Sequence, residues 1–339
     1  MVREHGTSLQ EGPILIAGFG GIGDHIRCFA LARHIAMRHP GAPIDFLCRS
    51  PVDRLVRFVP ELRTAFVDDT PHGKLGISHK LRLAARLRRE GYRRVYVVSR
   101  TLKAAIVPFL AGIPERVGWF GEGRAVLINE VRSGEEAIYG ETEKVCALAF
   151  KNGLSGCGAL MPPRMQVEPA ALAAWQQTYG GALAAPVLAM APGAYNNKRL
   201  WPVDSFAETA RLFAKRGWEI WVLGGPQEHE AARRIANGAP IRDFTDTPLE
   251  DVPYQLASAT LFLGNDSGML HIAGAIGTPS VGLFGPTVLE VTGPRNPGVV
   301  EVRPPKGSID LCAIPVARVE KVLLERFARL ENRTVACAS

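Results

Sequence analysis

Residues 261 to 287 read LFLGNDSGMLHIAGAIGTPSVGLFGPT, and they hold the side chains best spaced for chemistry on a phosphate. An apolar strand ends at Gly264, Asn265-Asp266-Ser267-Gly268 makes a turn, a helix starts beside Ser267, and a second strand runs into Gly285-Pro286-Thr287. Ser267 can cap that helix while free backbone N–H groups and the helix dipole point at an anion. His271, four residues on, falls on the same helical face one turn deeper. Taken singly, a serine cap and a histidine on an apolar helix are ordinary features; together with Ala273, Gly274, Ala275 and Gly277, which let the helix lie close on a sheet, they describe an anion site. Two further loops support it. In Tyr195 to Pro202 a small-residue turn precedes the cationic pair Lys198-Arg199, and Lys198 is placed to meet a phosphoryl oxygen. After Gly224-Gly225-Pro226-Gln227, Glu228 either accepts hydrogen bonds from sugar or ribose hydroxyls or opens a helix over 228–237, where an acid suits the dipole.

A second glycine run opens the first folded segment: ILIAGFGGIGDHIRCFALARHI, residues 14 to 35. Gly18, Gly20 and Gly23 meet the pattern G-x-G-x-x-G between a strand and a helix, which is the context of a dinucleotide-binding turn. Such a turn calls for an acid at the end of the second strand, and there the chain reads Cys48-Arg49-Ser50, with Asp45 inside the strand. Arg49 and Ser50 would suit a 2′-phosphate, so an NADP-dependent oxidoreductase stands as an alternative.

The elements that must carry these loops alternate. Strands are expected at Ile14 to Ala17, Ile44 to Cys48, Thr64 to Val67 and Val95 to Val98, with helical stretches near 25–38, 51–58 and 78–90. Around Pro162, Pro163, Pro169 and Gly180-Gly181 the pattern breaks, and it restarts with strands Val187 to Ala191, Glu219 to Leu223, Leu261 to Leu263 and Ser280 to Phe284. This is two open parallel α/β domains, whose ligands belong at the carboxyl ends of the strands. The composition of the 339 residues agrees, with 47% hydrophobic and 22% charged. No apolar run is long enough for a membrane span, and the first residues, MVREHGTSLQEGP, lack a signal-peptide core, so a cytoplasmic protein is expected. Six cysteines form no C-x-x-C pair and read as small buried groups. The net charge of +7 is concentrated in residues 79–103, HKLRLAARLRREGYRRVYVVSRTLK. This is either a solvated helix face or a surface for an anionic partner; with few aromatics to stack bases, no nucleic acid is expected.

GNDSGMLHIAGAIGTPSVGLFGPT resembles the signature of the bacterial lipopolysaccharide heptosyltransferases, PGAYNNKRLWP resembles their other C-terminal motif, and LKAAIVPFLAGIPERVGW is similar to heptosyltransferase II in particular. The resemblance runs from about residue 13 to 330. It implies a GT-B architecture of two Rossmann-like domains facing a central cleft: an acceptor-binding domain at 13–165, a nucleotide-sugar-binding domain at 183–318, and a C-terminal helix at 319–332. The activity implied is inverting, metal-independent transfer of a heptose from ADP-heptose to a lipopolysaccharide inner-core acceptor, with no cofactor besides the donor. The sequence holds no D-x-D, the acid pair that commonly carries a divalent ion in metal-dependent glycosyltransferases.

Residue by residue, Asp24 matches the family's catalytic acid and would be the general base, and Lys198 would stabilise the departing diphosphate. Lys198, Glu228, Asp266, Ser267, Gly268 and His271 match donor-binding positions. Gly21, Gly23, His25, Arg27, Arg82 and Lys103 are expected on the acceptor side, His25 and Arg27 having no family counterpart. Arg82, Arg86, Arg88, Arg89 and Lys103 would attract the anionic core or the inner face of the inner membrane, on which a peripheral contact is allowed for. Nothing in the residues reads an adenine or counts sugar carbons. A family member with another sugar or acceptor therefore stays open, as does a non-catalytic sugar-nucleotide binder, which would have no use for Asp24.

Overall fold

The computed structural model describes residues 12–18, 20–70, 76–153, 159–179 and 183–338. The chain divides into two compact units, one of residues up to Gly20 with Cys28–Ile138 and Glu143–Met161, the other of Gly21–Arg27, Tyr139–Thr142 and Pro162–Ser339. Among the described residues each carries one parallel sheet.

In the N-terminal unit the elements run β1 (Ile14–Ala17), α1 (Ile22–Arg38), β2 (Ile44–Cys48), β3 (Thr64–Val67), α2 (Ile77–Arg89), β4 (Arg94–Val97), α3 (Leu102–Leu110), β5 (Glu115–Trp119), β6 (Glu130–Arg132) and α4 (Glu141–Ala147). The sheet order is β3-β2-β1-β4-β5-β6, with Leu15 level with Asp45 on one side and Val95 on the other. β1 and β2 are buried along their whole length, as strands covered on both faces must be. Strands β1 to β3 have the expected bounds and β4 starts one residue earlier. Asp45 is consumed inside the sheet: Arg63 holds its two oxygens at 2.9 and 2.5 Å, and the Tyr92 hydroxyl donates to it at 2.5 Å. Burial and that carboxylate push the Tyr92 phenol far above its ordinary range.

The basic helix α2 divides its cations by depth. Lys80 points inward, 3.1 Å from the buried carboxylate of Asp68, which also accepts from the Thr70 backbone at 3.1 Å and from the Thr70 hydroxyl at 2.5 Å. Burial works to raise the Asp68 carboxyl, but the bonds from Thr70 and Lys80 and the Lys80 charge outweigh it and hold it below the ordinary value. Of the outward arginines, Arg86 lies over the Phe66 ring at 4.9 Å and Arg88 donates to the Leu110 carbonyl at 2.5 Å, at the end of α3. Arg82 and Arg89 are exposed.

In the C-terminal unit follow α5 (Pro169–Thr178), β7 (Val187–Ala191), α6 (Val203–Ala214), β8 (Glu219–Leu223), α7 (His229–Ala236), β9 (Arg242–Phe244), α8 (Val252–Ser258), β10 (Leu261–Asn265), α9 (Gly268–Ile276), β11 (Ser280–Leu283), α10 (Leu289–Thr292), β12 (Val299–Val302) and α11 (Val316–Ala338). The order β12-β11-β10-β7-β8-β9 repeats the winding of the first sheet. The strand order reverses between β7 and β10, and the loops after those two strands flank the crevice where such sheets bind ligands. Trp201 anchors the first of these loops: its ring is buried against Phe206, its indole N–H donates to the Ile314 carbonyl at 3.0 Å, and its backbone N–H donates to Asn265 at 3.0 Å. Of the cysteines, Cys28, Cys48 and Cys146 are buried and Cys312 is exposed; residue 157 and the N-terminal stretch 1–11 lie outside the described residues. No helix among the described residues is long and apolar enough to cross a membrane.

Replacing Lys80 by Met leaves the buried Asp68 carboxylate without its cation and should destabilise the protein by about 3–5 kcal/mol at pH 7. In the native chain the depressed Asp68 contributes stability in full above about pH 4, and this is lost as pH falls through the lower folded-state value. The variant, which keeps the Thr70 bonds but not the Lys80 charge, should show a smaller acid-dependent loss. Urea unfolding between pH 3 and 7 reads both effects, and a variant as stable as the native chain would show that the pair contributes nothing.

Candidate active site

The site is built in the C-terminal unit at the β7–β10 switch point, together with the 21–27 segment that clusters with that unit. Asn265, fully buried at the end of β10, ties the crevice together: its amide N–H donates to Pro192 O at 2.7 Å while its oxygen accepts from Trp201 N. Asp266, 3% exposed, follows. Its Oδ2 accepts from Arg199 at 3.2 Å, Thr287 Oγ1 at 2.7 Å and Thr292 Oγ1 at 3.0 Å, so it joins the loop after β7 to the segment after β11. The cationic pair is thereby split: Arg199 turns in to Asp266, and Lys198 stays exposed on the turn, its backbone N–H bonded to Asn196 Oδ1 at 3.0 Å.

Ser267 occupies the position before α9, as expected, but its hydroxyl caps nothing. Its φ of −146° and ψ of 173° are the extended backbone usual for an N-cap, yet the side chain makes no cap hydrogen bond, and Oγ is out of solvent with no partner among the described residues. His271 Nδ1 is in the same state. Ser267 Oγ and His271 Nδ1 thus both lie at the end of α9 where the backbone N–H groups and the helix dipole favour an anion. Burial, then the charges of Arg27 and Arg199, hold the His271 imidazole well below its ordinary value, only partly opposed by the Thr292 backbone, so the ring is neutral. Glu228 does open α7, and its Oε2 accepts from Gly225 N at 2.7 Å. The rest of its carboxylate fills the space that a side chain on Gly193 would need, which brings the loops after β7 and β8 onto one acid.

The glycine run at 20–24 also finds its partner here. A Cβ on Gly23 would stand 2.9 Å from the His271 ring, and one on Gly268 would stand 2.8 Å from Ile22 Cβ. These glycines serve a chain-on-chain approach, the first turn of α1 lying on the first turn of α9. Asp24 is thus brought to the helix end, with its side chain 51% exposed. Its Oδ2 accepts from Gly21 N at 3.0 Å, and its Oδ1 pairs with Arg27 Nη1 at 2.5 Å. Arg27 Nη2 reaches the Thr292 carbonyl and lies 3.4 Å from His271 Nε2. His25 is fully buried, its Nδ1 2.8 Å from Gly21 O, and Arg27 is 9% exposed. In the N-terminal unit, Arg82 is exposed on α2 and Lys103 half-buried in the first turn of α3. Asn265, Arg199, Thr287 and Thr292 were not singled out as site residues by sequence reasoning; the one signal available was the adjacency of Arg199 to Lys198. Among the described residues no three His, Cys, Asp or Glu side chains are grouped to hold a metal ion.

Two parallel sheets wound in the same order, with flanking helices, define a GT-B-like glycosyltransferase fold. The chain belongs to glycosyltransferase family 9 (heptosyltransferase), whose model matches residues 80–309. It is 31% identical over 297 residues to lipopolysaccharide heptosyltransferase 2 of Escherichia coli K12, covering 84% of this chain and 85% of that protein. It is 28% identical over 311 residues to lipooligosaccharide heptosyltransferase 2 of Haemophilus influenzae Rd, covering 87% and 90%. The solved structure of E. coli ADP-heptose lps heptosyltransferase II superposes with a TM-score of 0.86 at 28% identity, over 94% of this chain and 99% of that one. The oxidoreductase alternative is therefore set aside, in agreement with the inward use of Asp45 and the packing of Gly23 on His271.

Gly23→Ala sets two effects against each other. Alanine favours helix by up to about 1 kcal/mol, but its methyl group must displace a buried ring, which costs about 1–3 kcal/mol. Net destabilisation is expected in the native background, and none, or a slight gain, in His271→Ala. Chemical denaturation of the four proteins measures the cycle; an equal penalty in both backgrounds would refute the contact.

Proposed function

We propose that the protein is an inverting heptosyltransferase that moves a heptose from ADP-heptose to an anionic lipopolysaccharide inner-core acceptor, without a divalent cation. The observation that carries this reading is the packing of Ile22 and Gly23, the two residues before the half-exposed carboxylate of Asp24, on the start of α9, where Ser267 Oγ and His271 Nδ1 lie buried and unpartnered. The similarity to heptosyltransferases 2 supports the sugar and the acceptor class, and the likeness to the solved E. coli ADP-heptose lps heptosyltransferase II supports the nucleotide. In this reading the C-terminal unit holds the nucleotide sugar and the N-terminal unit the acceptor.

Asp24 accepts the proton of the acceptor hydroxyl as its oxygen attacks the anomeric carbon. The bond from that carbon to the diphosphate oxygen breaks on the opposite face, inverting the configuration. Charge gathers on the leaving ADP, and Lys198, Ser267 and the N–H groups that open α9 are set to receive it. Glu228 is left to take sugar or ribose hydroxyls. Asp266 acts by fixing Arg199 and the segment after β11.

Asp24→Asn should lower transfer by about 10²–10⁴-fold, the usual worth of a general base, while calorimetric affinity for ADP stays nearly native. Lys198→Ala should weaken ADP binding by roughly tenfold or more, about 1.4 kcal/mol. ADP should bind in preference to UDP and NADPH. Transfer at an unaltered rate in Asp24→Asn, or binding of NADPH alone, would overturn the reading.

The exposed arginines of α2 add a surface test. The protein should bind vesicles containing anionic phospholipid at low salt and detach as ionic strength rises. Replacing Arg82 and Arg89 by Ala should weaken the binding at low salt. Cosedimentation that is independent of salt and of these residues would count against a peripheral electrostatic contact.

A further inference from the structure

Arg27 is buried, yet it donates to two groups far apart in the chain, Asp24 Oδ1 at 2.5 Å and the Thr292 carbonyl, and its Nη2 lies 3.4 Å from His271 Nε2. Its neighbour in this web, Thr292, faces two ways. The Thr292 carbonyl receives Arg27, while Thr292 Oγ1 donates to Asp266 Oδ2 at 3.0 Å, the same oxygen that holds Arg199 beside Lys198. Only a planar fork can serve an acid on one nitrogen and a carbonyl on the other; a lysine offers one nitrogen at one point.

We propose that Arg27 is a positioning residue that aims the Asp24 carboxylate, and that Thr292 is the joint tying this base to the Asp266–Arg199 pair of the donor loop. The inference rests on the reading of Asp24 as general base. An unheld carboxylate on an exposed first turn samples several rotamers, and proton transfer needs one of them. Arg27 removes that freedom on one oxygen and Gly21 N on the other. The two arms of Thr292 separate the effects. Loss of the guanidinium fork frees the base and the Thr292 carbonyl but leaves the Thr292 hydroxyl on Asp266, whereas loss of the threonine hydroxyl should loosen Asp266, hence Arg199 and the turn carrying Lys198.

The test is steady-state transfer with ADP-heptose and a truncated core acceptor, alongside calorimetry with ADP, on folded full-length variants. Arg27→Lys and Arg27→Met should each lower kcat on the order of 10²-fold, with donor KM and ADP affinity within about threefold of native. In the Asp24→Asn background, Arg27→Lys should cause no further loss, because a residue acting through the carboxylate has nothing left to aim. Thr292→Val should weaken ADP binding as well as kcat, and Thr292→Ser should restore both. Native kcat in both Arg27 variants, a full further loss in the Asp24→Asn background, or unchanged ADP affinity in Thr292→Val would overturn the proposal. Should Asp24→Asn itself transfer normally, the failure would lie in the general-base reading and would be visible as such.

Discussion

Asp266 Oδ2 accepts hydrogen bonds from three side chains that come from two loops, Arg199 on one and Thr287 and Thr292 on the other. A carboxylate this deeply buried is tolerated only when its charge is paired and its lone pairs are filled, so each of those loops is obliged to bring a donor to the same point. That obligation fixes where the turn at 197–199 stands, and therefore where Lys198 leaves the surface. It also fixes the last turn of α10, whose carbonyl at Thr292 is the seat of Arg27. The position of the proposed base follows from an acid that touches no substrate in this account.

The glycines of the opening run show how one sequence pattern can serve two physical ends. In a dinucleotide enzyme they admit a pyrophosphate to the backbone. Here the third of them admits the edge of a histidine ring, and Gly268 answers it by admitting Ile22. The requirement for a missing side chain is the same, and only the body that fills the space differs. A residue pattern therefore reports close approach before it reports the identity of what approaches.

Most of the fold was legible because its strands are covered on both faces and read as short apolar runs; β1, β2, β3, β7 and β8 have the bounds the residues suggest. Four strands were not legible. β6 reads EVR and β9 reads RDF, three residues each, too short and too polar to rise above the loops around them. β5 carries Glu and Arg at its start, and β12, VVEV, is interrupted by a glutamate. The loops of the candidate site were legible through turn residues and small residues at strand ends. The reading of Ser267 as a cap went astray because a suitable residue type at the right position does not fix where its hydroxyl points. Arg27 stands three residues after Asp24 on one helix, a spacing the sequence does show, but its bond to Thr292 could not be read there, since Thr292 lies 265 positions away and contributes a backbone carbonyl, which no side-chain pattern announces.

The arrangement of α2 has a consequence for conformational entropy. Arg86 already rests on the Phe66 ring and Arg88 is already bonded to the end of α3, while both remain exposed. A long side chain caught by a ligand ordinarily surrenders about 0.5–1.5 kcal/mol of rotational freedom at the moment of binding. These two surrendered it when the chain folded. Any anion that meets this face encounters charges already at rest beside the freer Arg82 and Arg89, and the immobilisation that weakens most flexible basic surfaces is in part settled beforehand.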